Sequence, residues 1–447
     1  MRSIFLPITT GDDIYRWLIT ACAIAAAALC VFMLRKHPKA GLALWLSSLC
    51  FVPYWVGVDV KIFFPVVTAA TVVLIIALGT LAAHRTRLTD WVAASLMLTY
   101  FVAAFLGMTT LASGFTLIAT WGVSYLLGRT VIVRLSLEWC YAAVGVAFTL
   151  VAVLATVEYV TGTNLFVLWH SDNSSYAIWS PLQYRGGQLR VEGAFGHSIA
   201  LGASLSIAIP LVIASTLRLW IRFSMVAVMI TATILTFSRT GMICSVLGLL
   251  LAVLCMPNDL SRRLKVYVSC AVLAAGAVGL PYANKFFEST GKEASGSADY
   301  RTDLLSLLDD MRIVGMSPAF AVSPKGEATF SGFKSIDSAL VLTGLTYGYL
   351  PLATVISLLL AAVILLLRGR ATAPVVALVA QIPALATVAL ITQYAVFLCF
   401  TAGLAVAAQA VARDQTKRRK QATNIAVPSV GPEHSFHQLQ LTRQSGG

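Results

Sequence analysis

Residues 139–161 read WCYAAVGVAFTLVAVLATVEYVT, with Glu158 as their one charged side chain and that one near the end. A helix rises about 1.5 Å per residue, so this stretch reaches about 35 Å and covers the roughly 30 Å hydrocarbon core of a bilayer. The pattern recurs on both sides of it, at 17–34, 42–58, 62–83, 91–108, 109–127, 198–217, 219–237, 240–256, 266–282, 339–367, 374–390 and 391–411. These stretches predict an all-α polytopic membrane protein with 12–13 transmembrane helices. Gly107 marks the turn within 91–127, and 374–411, around Gln381 and Pro383, is either a tight hairpin or one broken helix. Composition agrees: 58% hydrophobic residues, 11% charged residues and a mean hydropathy of +0.83 fit no water-soluble core of 447 residues.

The charges orient the chain. There are 32 Lys and Arg against 19 Asp and Glu, a net +13, but the basic residues come as short runs between apolar stretches rather than as a patch. That excludes a nucleic-acid binder. Placing Arg35/Lys36/Lys39, Arg85/Arg87, Arg129/Arg134, Arg218/Arg222, Arg262/Arg263/Lys265, Arg368/Arg370 and the C-terminal Arg and Lys residues in the cytoplasm puts 20 of the 32 basic residues inside. Only Asp90, Glu138, Asp259, Asp414 and Glu433 join them. The outer side then holds loops 162–197 and 283–338 and the turn at 237–240, and thirteen crossings place the N-terminus outside, twelve inside. Residues 1–420 form one transmembrane domain, and 421–447, polar with scattered Pro and Gly, read as a disordered cytoplasmic tail. All eight cysteines fall in apolar segments without a C-x-x-C, which points to neither a disulfide framework nor a zinc site. Met1 to Arg16 holds Asp12 and Asp13 and lacks the pattern of a cleavable signal peptide.

An ion-coupled transporter keeps ionisable groups at mid-membrane, and here the span centres hold none. The polar chemistry gathers outside, where Arg185, Arg190, Arg239, Arg301 and Arg312 go against the basic-inside trend. Arginine's planar fork suits phosphate. Arg239 lies in Thr236-Phe237-Ser238-Arg239-Thr240-Gly241, a joint with almost no loop, and serves either as an interfacial anchor or as a phosphate ligand. Arg190 opens Arg190-Val191-Glu192-Gly193-Ala194-Phe195-Gly196-His197-Ser198, whose glycines either converge backbone N–H groups on an anion or only make the turn. From Ser297 to Gly315, Leu304, Leu307, Leu308 and Met311 predict an amphipathic helix on the bilayer surface. Arg301 in its first turn faces an anion or pairs with Asp299 or Asp303. Ser323 to Ser335 reads as a polar flap, and Asp337 behind it either caps the next helix or faces the arginines.

Four segments, in order, resemble the O-antigen ligase and O-antigen polymerase superfamily. They are Tyr125-Leu126-Leu127-Gly128-Arg129, the 190–197 segment, Ser238-Arg239-Thr240-Gly241, and Tyr300-Arg301 leading to Asp337-Ser338. The family's ligases carry a histidine where this chain has Asp337, and their pattern does not end in a proline such as Pro351. In that respect the chain resembles the Wzy-like exopolysaccharide polymerase branch. The resemblance implies a type C glycosyltransferase fold in the bacterial inner membrane, and inverting transfer without a metal or other cofactor. It implies undecaprenyl-diphosphate-linked saccharides as donor and acceptor, with flippase and chain-length regulator proteins as partners. Charge developing on the leaving diphosphate would meet Arg190, Arg239 and Arg301, since no Asp-x-Asp motif is evident to hold Mg²⁺. The catalytic candidates for the base are Asp337 first and Glu192 second, the latter being neutralised by its neighbour Arg190. The alternatives are a ligase using another acceptor and a lipid-linked saccharide flippase, although neither internal repeats nor a charged central cavity can be seen.

Overall fold

The stretch from Ser198 to Ile213 mixes Gly, Ala and Ser with Leu and Ile and offers no polar face, and a helix apolar all round belongs in a core. In the computed structural model, which describes residues 11–59, 63–79, 86–256, 260–274, 306–322, 328–333 and 336–426, this helix is the central pillar of a mostly helical bundle. Before it in the chain come α1 (Gly11–Lys36), α2 (Pro38–Phe51), α3 (Val66–Leu78), α4 (Leu88–Phe105), α5 (Leu111–Thr116), α6 (Val123–Thr130), α7 (Leu137–Thr161) and the short α8 (Ser174–Trp179). The pillar is α9, followed by α10 (Leu219–Leu235), α11 (Arg239–Cys255) and α12 (262–274). After the outer segment come α13 (Ala339–Tyr347), α14 (Tyr349–Leu367), α15 (Ala373–Ala380), α16 (Ile382–Thr387) and α17 (Thr392–Ala426). Helices α7, α10, α11, α15 and α17 surround α9.

Among the described residues five helical stretches are long and apolar enough to cross a membrane: Leu88–Phe105, Ala112–Val133, Leu137–Thr161, Tyr349–Leu367 and Thr392–Arg418. Five shorter apolar helices accompany them, α9 among them. Sixteen residues extend α9 to only about 24 Å, short of the bilayer core. Its termini are therefore tended by protein. At the C-terminal end Arg222 donates from Nε to Leu217 O (2.7 Å) and from Nη1 to Ile213 O (3.0 Å), satisfying carbonyls that the helix leaves open.

Several apolar stretches are divided where the sequence predicts single spans. The stretch 42–58 stops at Phe51, ahead of Pro53, and turns into a hairpin of β1 (Gly57–Asp59) and β2 (Phe63–Pro65). The stretch 339–367 breaks at Gly348 (φ 99°, ψ 172°), a conformation that favours glycine. The break is filled from outside: Tyr349 and Leu350 donate their backbone N–H groups to Arg312 O (2.8 Å) and Ile313 O (3.0 Å). Residues 374–411 form a hairpin whose first arm is itself broken at Gln381, next to Pro383. Gly107 does turn the chain, at φ 70°.

The amphipathic helix expected to run to Gly315 ends before it. Leu307–Asp310 is a single 3-10 turn and Met311 is extended. Leu307, Met311 and Met316 join Phe330, Ile336, Leu345 and Leu352 in a separate apolar cluster, so this face packs on α13 and α14 and not on a bilayer surface. Within the polar stretch 323–335, Ala328–Phe330 form strand β6, paired with β5 (Phe320–Val322), and positions 323–327, 334 and 335 lie outside the described residues. Helix α17 continues through Gln421 to Ala426, so the tail begins later than position 421.

The Tyr125-to-Arg129 segment locks α6 to α17 and α4. Arg129 holds Asp90 through two bonds, Nε to Oδ1 (2.9 Å) and Nη2 to Oδ2 (3.1 Å), and Tyr125 Oη adds a third at 2.8 Å. Gly128 lies against the Phe400 carbonyl and Gly403 against the Tyr125 carbonyl, so the two backbones touch. A Cβ at either glycine has no room. Gly128→Ala is expected to destabilise the protein by about 1–3 kcal/mol or more, read as a lower melting temperature or loss of the monodisperse peak in detergent. Wild-type melting of Gly128→Ala would refute the close crossing.

Candidate functional site

The segment 162–197 between α7 and α9 folds back into the bundle. Its hairpin, β3 (Tyr184–Arg185) with β4 (Gln188–Leu189), turns at Gly186 and Gly187, and residues 191–196 that follow are all buried. Non-helical backbone at this depth must find every partner within the protein. Glu158, near the end of α7, supplies two of them: its carboxylate accepts the N–H groups of Glu192 (3.1 Å) and Gly193 (2.9 Å). Asn164 donates to Gly193 O (3.0 Å), Gln393 to Ala194 O (2.9 Å), and Val191 N–H reaches Leu235 O (3.3 Å). The outer part of the loop rests on Trp55, whose indole donates to Trp169 O (2.9 Å).

Two of the outer arginines dock on the α10–α11 joint. Arg190 donates from Nε to Thr236 O (3.0 Å), and Arg185 from Nη1 to Phe237 O (3.1 Å). Phe237 has φ 47°, an unusual value for a bulky residue, which folds the joint tightly enough for Ser238 to cap α11 at Gly241 N–H. Arg239 is the first residue of α11 and is exposed. Its neighbour Thr240 contacts Thr387 (Oγ1 to Oγ1, 3.3 Å), and the next residue, Val388, accepts the Ala339 N–H (2.8 Å). Asp337 is thereby brought to the same end of the bundle. It is exposed, and Ser338, not Asp337, caps α13 by accepting from Val341 N–H (3.2 Å). Gly202 and Gly241 let α9 and α11 run close together side by side. The N-termini of α9, α11 and α13 therefore open at one end, each with a partial positive charge. Arg301 lies outside the described residues. No group of three or more His, Cys, Asp and Glu side chains that could hold a metal ion occurs among the described residues.

Glu192 has a different character from the one its sequence neighbour implies. It is 0% exposed, and both carboxyl oxygens lack a hydrogen-bond partner among the described residues. Burial, with the Glu158 carboxylate nearby, pushes its pKa up to about 9, and Arg190 only partly offsets this. At neutral pH it holds its proton and can donate one but not accept one. His197 caps α9, its Nδ1 accepting from Ile199 N–H (3.2 Å), so the proton of the neutral ring sits on Nε2. Burial and Arg190 push its pKa down to about 4, which keeps the ring neutral at physiological pH.

The sequence reading did not anticipate the roles of Glu158, Asn164, Gln393, Thr240 and Thr387. One signal was present: Glu158 is one of only two charged residues in a 25-residue apolar helix, and the other, Glu138, sits in its first turn. Gln393 and Thr387 had none, because Gln393 holds backbone carbonyls and Thr387 meets another hydroxyl.

The bundle and its five apolar stretches of spanning length define a polytopic α-helical membrane protein. Among known proteins, no family model and no curated sequence matches the chain.

Glu192 gives this site a pH signature. A folded-state pKa above the ordinary carboxylate value means that its contribution to stability is full below about pH 4.5 and is lost as pH rises through about 9. Glu192→Gln should therefore melt above wild type at pH 8, by at least about 1 kcal/mol, and together with it at pH 4.5. A melting difference that does not change with pH would show that Glu192 is not held neutral.

Proposed function

We propose that the protein is a membrane glycosyltransferase that polymerises undecaprenyl-diphosphate-linked saccharide repeat units on the outer side of a bacterial inner membrane. One observation carries this reading: Arg190, Arg239 and Asp337, from three separate segments, are fastened through Thr236, Thr240–Thr387 and Val388–Ala339 to one end of the bundle. That end combines cationic forks, helix N-termini and an exposed carboxylate. A glycosyl diphosphate needs the first two, and an acceptor hydroxyl needs the third.

In the proposed reaction Asp337 takes the proton of an acceptor hydroxyl. The oxygen attacks the anomeric carbon from the face opposite the diphosphate, the new C–O bond forms as the bond to the diphosphate oxygen breaks, and the configuration inverts. The negative charge that develops on the departing lipid diphosphate is met by Arg190 and Arg239, and by Arg301 from the outer segment. Glu192, protonated, lies beneath the site and does not compete as a base. No metal is needed for this charge balance.

The test is a reconstituted reaction of purified protein with a lipid-diphosphate-linked repeat unit, with product length read on a gel. Asp337→Asn should fold and bind donor but lose about a hundredfold or more in transfer rate. Arg190→Lys and Arg239→Lys should each lose most activity, because a point charge cannot reproduce a bidentate contact. Chains of normal length from Asp337→Asn would remove the base, and unimpaired lysine variants would remove the diphosphate site. Transfer of preformed glycan to a different acceptor would make the protein a ligase.

Orientation is tested separately with single cysteines at the exposed positions Ser174 and Gln421, in a background lacking the eight native cysteines. An impermeant thiol reagent applied to intact cells should modify Ser174→Cys and spare Gln421→Cys. Labelling of Gln421→Cys would invert the topology.

A further inference from the structure

A groove of about 480 Å³ runs along α17 between α4, α13 and α14, and none of residues 185–197 lines it. Leu398, Ala402, Ala405, Gln409 and Arg413 line it at helical spacing, so its wall on α17 is about 22 Å long. The alanines keep the floor low, and the walls are apolar side chains of α4 and α14. Its polarity is concentrated at one end. There Arg87 and Arg413 flank the mouth, and neither forms an ion pair among the described residues. The nearest acid on α4, Asp90, is already held by Arg129 and Tyr125, and Asp414, on α17, is exposed. This is the end at which the basic loops gather. A narrow apolar channel one acyl chain long, closed by two guanidinium groups at the basic end of a bundle, has the shape and charge of a lipid site whose headgroup is a phosphodiester.

We propose that this groove binds an anionic diacyl phospholipid of the adjacent leaflet, with an acyl chain along α17 and the phosphate between Arg87 and Arg413. The far end of the chain lies against Ala339, Leu340 and Thr343 of α13. A lipid-diphosphate substrate would put its phosphates at the opposite, outer end, where this groove has no cation in its lining. The inference therefore stands apart from the glycosyl-transfer reading.

The test is native mass spectrometry of the detergent-purified full chain titrated with phosphatidylglycerol, phosphatidylcholine or undecaprenyl phosphate. Phosphatidylglycerol should be retained at least about fivefold better than phosphatidylcholine, as expected for two arginines near the membrane surface. The double variant Arg87→Gln/Arg413→Gln should abolish this preference, and Arg413→Gln alone, at an exposed position, should reduce it without affecting folding. Equal retention of the two phospholipids, or a preference unchanged in Arg413→Gln and in the double variant, would overturn the proposal. Tighter retention of undecaprenyl phosphate that is lost in the same variants would also overturn it, by assigning the groove to a polyprenyl carrier.

Discussion

The end of the bundle that carries Arg190 depends on one carboxyl group. Glu158 binds the backbone N–H groups of Glu192 and Gly193, and without it an irregular, fully buried segment would leave two donors unsatisfied at a cost of about 1–3 kcal/mol each. Because that segment is held, α9 can begin inside the protein at Ser198 and remain short. Because α9 begins there, Arg190 lies level with the α10–α11 joint and reaches Thr236 O. An apolar substitute at 158 would remove an acceptor, and a lysine would place a donor against two donors. Glu158 is thus used structurally, as a double acceptor that positions the backbone around Glu192 and Gly193.

Close backbone contact does the rest of the positioning. Gly202 against Gly241 aligns the starts of α9 and α11, and Gly128 against Phe400 together with Gly403 against Tyr125 fixes α17, whose first turn carries Gln393, bonded to Ala194 O. Inside a membrane the hydrophobic effect gives little drive for one helix to choose another, so shape and hydrogen bonds decide. The polar contacts in the core follow this rule: Gln381 at the break between α15 and α16 bonds Ser206 of α9 (2.7 Å) and accepts from Tyr394 (3.1 Å). A helix break that would expose polar backbone is thereby stitched to the pillar.

Hydropathy located most of the helical mass, because apolar length is a local property that any window of sequence displays. It could not locate the breaks. Gly348 interrupts an apolar run of 29 residues, and what makes the interruption tolerable is Arg312 and Ile313, more than thirty positions away. The Leu307 and Met311 periodicity was equally visible, but the partner of that face is a cluster on α13 and α14 rather than a lipid surface, and periodicity says only that a face needs cover. At the site, the arginines were legible because they stand on the side where the charge rule predicts few. Thr240, Thr387 and Val388 were not, since two threonine hydroxyls that meet each other and a carbonyl that accepts one N–H leave no compositional mark.

Glu192 shows how far a neighbour in sequence can mislead about charge. Two positions from Arg190, it reads as that guanidinium's counter-ion, and a paired arginine would have little attraction left for a diphosphate. The buried position reverses this. Water is excluded from the carboxyl group, the Glu158 carboxyl adds to the effect and outweighs Arg190, and the proton stays on. Neutral Glu192 and neutral His197 therefore add no charge of their own beside Arg190 at physiological pH.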